Sequence, residues 1–272
     1  MPELPEVETI ANGVHRRVRG DSIVSAWFSH HREPFKTPPA EMASALAGLR
    51  IGKVHRIGKH IVVDLTAKSE RATMRQLLVH LGMTGRLLVS APQVLVPPHT
   101  HAILQLASGR ELRFVDARRF GRLELLSSSG FTGPGHEPLT IALDDFVALF
   151  RGRKLAIKAA LLNQSLLHGV GNIYADESLF RAKIHPTRVA GRLSRERLSR
   201  LRKGLQTVLQ AAIRAGGSSV SDYVDADGVA GFFQIQHRVY GREGQPCRVC
   251  GSPIRRIVLA GRGTHFCPHC QT

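Results

Sequence analysis

The chain has 272 residues, 43% of them hydrophobic, with 38 Lys+Arg against 21 Asp+Glu and a net charge of +17. That length suits two domains and a sizeable core, and the charge predicts a polyanionic partner, either nucleic acid or an anionic membrane surface. No apolar run approaches the roughly 20 residues of a membrane span, and the start Met1-Pro2-Glu3-Leu4-Pro5-Glu6 carries acids where a signal peptide carries bases. The composition therefore points to an intracellular protein that binds nucleic acid, with a merely basic enzyme as the alternative.

Pro2 is small, which predicts removal of Met1 and a free secondary amine at the chain start. Such an amine can attack an aldehyde-like carbon and form an iminium without a cofactor, as a Schiff-base lysine does. Glu3 beside it supplies a carboxyl group for proton transfer. Taken alone, the dipeptide is more readily an ordinary chain start. Residues 5–18 read as a helix: Pro5 suits its first position, Glu6 and Glu8 favour its dipole, and Leu4, Val7, Ile10, Ala11, Val14 and Val18 recur at helical spacing. That stripe would hold Pro2 and Glu3 in place.

From Ser22 to Leu126 the pattern becomes short β runs, at 23–28, 53–57, 61–65, 74–80, 86–89, 101–106, 111–114 and 122–126. Many short strands separated by turn residues argue for a sandwich or barrel. Two connections stand out. His80-Leu81-Gly82-Met83-Thr84-Gly85 places Met83 between glycines, and Asp116-Ala117-Arg118-Arg119-Phe120-Gly121 places Arg118 and Phe120 in a tight turn. Core packing is the ordinary role of such apolar side chains. The alternative is a wedge that fills the gap left by a displaced base in duplex DNA.

Residues 127–140 are rich in Ser, Gly and Pro and read as a linker. Helical periodicity follows at 144–150, 156–163, 173–181 and 195–215. Gly169-Val170-Gly171-Asn172 precedes the third of these, and a glycine-flanked helix N-terminus is a phosphate site. Asn172 can cap that helix or donate to the phosphate. Residues 216–233 form a glycine-rich loop with Asp222, Asp225 and Asp227.

All four cysteines lie near the end, Cys247, Cys250, Cys267 and Cys270, spaced as C-x2-C, sixteen residues, C-x2-C. This spacing predicts one tetrahedral Zn2+ held by four thiolates, structural because no position stays open. Between the knuckles, 254–260 reads as a strand, 261–263 as a turn and 264–267 as the return strand. Six arginines against the single acid Glu243 in 237–272 suit a ribbon lying on phosphates. Arg262, between two glycines, sits at the predicted tip, and is as readily one more solvated arginine.

Pro2–Thr9 (PELPEVET), 80–85 (HLGMTG), 116–121 (DARRFG), 170–180 (VGNIYADESLF) and the terminal CRVC…FCPHC, five motifs in order, together resemble the formamidopyrimidine-DNA glycosylase family, within the wider group that includes endonuclease VIII. The resemblance implies an α+β multidomain fold: an N-terminal helix plus β-sandwich (1–130), a helical helix-two-turn-helix domain (140–236) and a C-terminal four-cysteine zinc ribbon (237–272). It implies a monomer of the bacterial cytoplasm, associated with the nucleoid, acting on double-stranded DNA that contains oxidised bases or abasic sites. The implied activity is a bifunctional glycosylase and AP lyase of base-excision repair, removing 8-oxoguanine and formamidopyrimidines with β,δ-elimination of the strand. Pro2 matches the Schiff-base nucleophile, Glu3 the proton donor, Lys59 the β-elimination lysine and Arg262 the residue linked to δ-elimination. Met83, Arg118 and Phe120 match the fillers of the vacated stack, and His99, Arg153 and Asn172 match phosphate contacts. The 216–233 loop matches a cap over the extruded base. Ala117 stands where many relatives carry proline. Two other readings remain: an endonuclease VIII-like preference for oxidised pyrimidines, against which the PELPEVET start argues, and a non-catalytic damage-binding zinc protein, against which the Pro2, Glu3 and Lys59 set argues.

Overall fold

A computed structural model of the chain describes all residues except 68–73, 129, 220–225 and 230, so Asp222 and Asp225 lie outside the described residues. The chain divides into two compact units, Met1–Thr132 with Gly216–Gly231, and Gly133–Ala215 with Phe232–Thr272.

The first unit opens with α1 (Leu4–Val18), whose Val7, Ile10, Ala11, Val14 and Val18 are buried, each larger aliphatic side chain contributing about 2 kcal/mol. Then come β1 (Ile23–Phe28), α2 (Pro39–Leu46), β2 (Arg50–Ile57), β3 (His60–Thr66), β4 (Arg75–His80), β5 (Arg86–Ser90), β6 (Thr100–Leu106), β7 (Glu111–Val115) and β8 (Arg122–Leu126). The strands pair antiparallel into two four-stranded sheets, β1-β6-β7-β5 and β2-β3-β4-β8. Alternate residues of both sheets, such as Ile61, Val63, Leu77 and Val79 from one and Leu104, Leu112 and Phe114 from the other, share one buried cluster with the α1 stripe. This is the β-sandwich that the alternation requires.

Two features of this unit differ from the sequence reading. Helix α2 has no counterpart there, because only Met42 and Leu46 of its eight residues are buried, too few to display a stripe. The described residues of the 216–231 stretch group with the sandwich and not with the helices that flank them in sequence. Ala226 sits in the sandwich core, its carbonyl accepts the Val89 N–H at 3.2 Å, and Asp227 pairs with Arg17 of α1.

The second unit carries α3 (Leu143–Phe150), α4 (Ile157–Leu162), α5 (Asn172–Ala182), α6 (Arg195–Arg214) and the hairpin β9 (Arg255–Leu259) and β10 (Arg262–Phe266). Helix α6 starts at Ser194, whose side chain accepts the Arg197 N–H, a standard N-cap. The ribbon shares this unit with the helices. The buried Glu177 carboxylate on α5 accepts the N–H groups of Arg238, Val239 and Tyr240 at 2.9–3.0 Å, and Phe180 of α5 packs with Val239, Ile254, Cys247 and Cys267. Among the described residues, no helix is long and apolar enough to cross a membrane.

Candidate active site and metal centre

The start of α1 is anchored from two sides. Pro2 and Glu3 are buried, and Glu3 and Glu6 form a capping box. One Glu6 carboxylate oxygen accepts the Glu3 N–H at 2.8 Å and the other accepts the Ser218 N–H at 2.8 Å. Glu6 therefore ties the residues beside Pro2 to the 216–231 segment. Sequence reasoning finds in Glu6 only a dipole partner; the signal it misses is a Glu at the third helical position after Glu3. Met1 precedes Pro2 in the chain as described, so the Pro2 nitrogen there belongs to a peptide bond.

Lys59 sits with Gly58 in the two-residue turn of the β2–β3 hairpin, where Ile57 pairs with His60. Gly58 supplies a φ of 60°, which glycine adopts without strain. The Arg56 guanidinium, almost wholly buried, binds Glu8 of α1 at 2.7 Å and the Gly58 carbonyl at 3.2 Å. One arginine thus ties α1 to the Gly58-Lys59 turn. Next to it, burial pushes the His80 imidazole down to about 4, with His60, Lys59 and Arg122 adding positive charge nearby. His80 is neutral at pH 7, and its Nδ1 accepts the Gly82 N–H at 3.1 Å.

Met83 and Phe120 are 42% and 49% exposed, which removes core packing as their role. The Arg118 guanidinium lies 4.7 Å from the Phe120 ring centre, a cation–π contact. His99 lies on the loop before β6 with a φ of 63°, and its carbonyl accepts the Asp116 N–H at 3.0 Å. The fully buried Arg113, paired with Glu111 at 2.7 Å, holds that loop through the Ala91 and Leu95 carbonyls.

In the second unit Asn172 does not cap α5. Gly171 is the N-cap, with no side-chain cap, and the Asn172 amide donates to the Gly263 carbonyl at 2.9 Å. The same carbonyl accepts from Lys158 Nζ at 3.0 Å. Lys158, fully buried, also reaches Thr264 Oγ1 at 2.8 Å and Asp176 at 2.7 Å, while Asp176 accepts the His265 N–H at 2.8 Å. These groups fix β10 and with it Arg262. Arg262 is not at the hairpin tip: it pairs with Leu259 as the first residue of β10, and the turn is Ala260-Gly261, with φ of 49° and 71°. Arg153 follows α3, its Nε donating to the Leu149 carbonyl at 2.5 Å.

Cys247, Cys250, Cys267 and Cys270 hold all four sulfurs within 4.8 Å of one another, with Cys250–Cys267 at 3.4 Å and Cys247–Cys270 at 4.0 Å. A tetrahedron of Zn–S bonds of about 2.3 Å has sulfur–sulfur edges of about 3.8 Å, so the cage fits zinc. The electrostatics fit as well. Hydrogen bonds from Ser252 draw the Cys250 thiol down to about 6, while burial pushes Cys267 and Cys270 up. Four thiolates at this spacing need a cation among them. The Val249 and Cys270 N–H groups point at Cys247 and Cys267 sulfur at 3.4 Å.

Comparison with known proteins gives one consistent result. Residues 1–123 match the family model of the Formamidopyrimidine-DNA glycosylase N-terminal domain, 134–224 that of its H2TH domain, and 244–272 that of the zinc finger found in FPG and IleRS. A Formamidopyrimidine-DNA glycosylase of Solibacter usitatus is 46% identical over 100% of this chain and 99% of its own, and one of Listeria innocua is 40% identical over 100% of both. The crystal structure of the MutM (FPG) protein from Thermus thermophilus is 41% identical, covers 99% of this chain and 98% of its own, and superposes with a TM-score of 0.86. A Lactococcus lactis FPG mutant in complex with a Fapy-dG containing DNA is 32% identical over 100% of both chains, with a TM-score of 0.89.

Proposed function

The chain belongs to the formamidopyrimidine-DNA glycosylase family, and from that premise we propose that it removes oxidised purines from duplex DNA through the Pro2 amine and then cuts the strand at the abasic site. The observation that carries this is the doubly anchored α1 start, where Glu6 clamps the residues next to Pro2. With Met1 removed, the Pro2 nitrogen attacks C1′ as the bond to the base breaks, and the sugar ring opens to an iminium. Glu3 delivers the proton at the sugar. The iminium acidifies C2′, Lys59 assists loss of that proton, and the 3′ and then the 5′ phosphate leave.

Arg262, fixed through Gly263 and Thr264, is read as the phosphate contact of the second elimination, with Asn172 supporting it through the Gly263 carbonyl. His99, Arg153 and Asn172 are read as further phosphate contacts, and Met83, Arg118 and Phe120 as fillers of the vacated stack. The bound zinc supplies no chemistry to these steps; it holds the ribbon. We place this work in the bacterial cytoplasm at the nucleoid, on a monomer. A second reading, action on oxidised pyrimidines, is supported by a Lactococcus lactis FPG structure with an oxidized pyrimidine containing DNA.

Borohydride trapping on a duplex with one 8-oxoguanine opposite cytosine tests the reading, after mass spectrometry establishes loss of Met1. The expected result is a covalent protein–DNA adduct, absent when an extra residue ahead of Pro2 turns its nitrogen into an amide. An adduct on thymine-glycol DNA in preference to 8-oxoguanine favours the second reading, and binding with no adduct even on abasic DNA overturns catalysis by Pro2.

A further inference from the structure

The two exposed turns of the sandwich unit are fastened to each other by one buried acid. Asp116 is fully buried. Its Oδ1 accepts the Thr84 hydroxyl at 2.5 Å and the Arg118 N–H at 3.2 Å, and its Oδ2 accepts the Gly121 N–H at 2.7 Å. Thr84 belongs to the Met83 turn; the other two donors belong to the turn that carries Arg118 and Phe120. The backbones also touch. A Cβ on Gly82, which has a φ of 61°, would lie 2.5 Å from the Gly121 nitrogen and 2.6 Å from the Phe120 carbonyl carbon. Gly85 closes its own turn by donating to the Leu81 carbonyl at 2.8 Å.

We propose that Asp116 and Thr84 are positioning residues that lock these turns into a single wedge, so that Met83 and the Arg118–Phe120 pair enter the base stack as one rigid body. This rests on the reading above of those three side chains as fillers. The physical reason is entropic. Two independent turns would each be ordered at the moment of insertion, whereas a carboxylate that bonds both turns orders them beforehand. Gly82 permits the contact and Asp116 fixes its register, and neither needs to touch DNA.

Thr84→Val removes the hydroxyl at nearly constant volume, and loss of a hydrogen bond to a carboxylate should raise the apparent KM on an 8-oxoguanine duplex about tenfold. Its effect on kcat should be much smaller, since base opening precedes the chemistry. Thr84→Ser, which keeps the hydroxyl, should restore KM, a rescue that a merely steric role would not give. The decisive measurement is a double-mutant cycle between Met83→Ala and Phe120→Ala, read by the fluorescence of a 2-aminopurine beside the lesion. In the otherwise native chain the two losses should be non-additive; in the Thr84→Val background they should become additive. Additive losses in both backgrounds overturn the lock while leaving the filler reading intact. Single variants that leave base opening unchanged overturn the filler reading and the lock with it.

Discussion

At the scale of single residues, the most consequential side chain outside the proposed chemistry is Lys158. Its ammonium is buried against Asp176 and bonds the Gly263 carbonyl and Thr264, so a buried charge holds a hairpin strand in place. Breaking a buried pair by removing one partner leaves the other charge uncompensated, which costs about 3–5 kcal/mol. Lys158→Met should therefore lose that much in urea unfolding, and adding Asp176→Asn should recover most of it, because the amide oxygen still accepts the His265 N–H. A loss below about 1 kcal/mol in the single variant would show that the pair is not what fixes the strand. Neither residue stands out in the sequence. A lysine on a short helix and an aspartate on a longer one display no periodic relation; only the fold, which brings residue 158 to residue 264, makes the pair.

At the scale of elements, the zinc ribbon is the part whose stability depends on something other than apolar burial. Its cluster of Phe180, Val239, Ile254, Cys247 and Cys267 is small, and metal ligation stands in for the missing core. Cys250→Ser should lose the single bound zinc, measured by elemental analysis, and with it ribbon order and DNA affinity. Full affinity in a zinc-free chain would disprove the coupling. The cysteine spacing is legible because knuckles are local, as are α1 and most of the strands, whose 3.6- and 2-residue periods survive in a single chain. What stays hidden is long-range. Two flanking glycines point to a turn at Arg262, yet the left-handed backbone is carried by Ala260 and Gly261, and register with Leu259 decides the matter. Chain order groups residues 216–231 with the helices around them, whereas Ala226 belongs to the sandwich core. Met83 and Phe120 can be read either way until their exposure is known, because glycine-bordered turns say nothing about which side of the backbone faces solvent.

At the scale of the whole molecule, two histidines make stability depend on pH, one in each unit. Burial pushes His80 down to about 4, helped by His60, Lys59 and Arg122, and pushes His237 down to about 4, helped by Arg248. Both therefore stay neutral in the folded chain while the unfolded chain takes up protons near pH 6.5. Between pH 6.5 and about 4 the unfolded state binds more protons, so stability present above pH 6.5 is lost as pH falls, by up to about 1.4 kcal/mol per pH unit for each histidine. The net charge of +17 adds self-repulsion that also grows as other groups protonate. Salt separates the two contributions. It screens repulsion between exposed charges but does not return a proton to a buried imidazole. Urea unfolding followed from pH 7 to 5 should lose stability at both low and high salt, with a slope at high salt that falls by about one proton in His80→Gln and again in His237→Phe. A slope that vanishes in salt would assign the acid sensitivity to the surface charge alone, and a salt-resistant slope untouched by both substitutions would assign it to other buried groups.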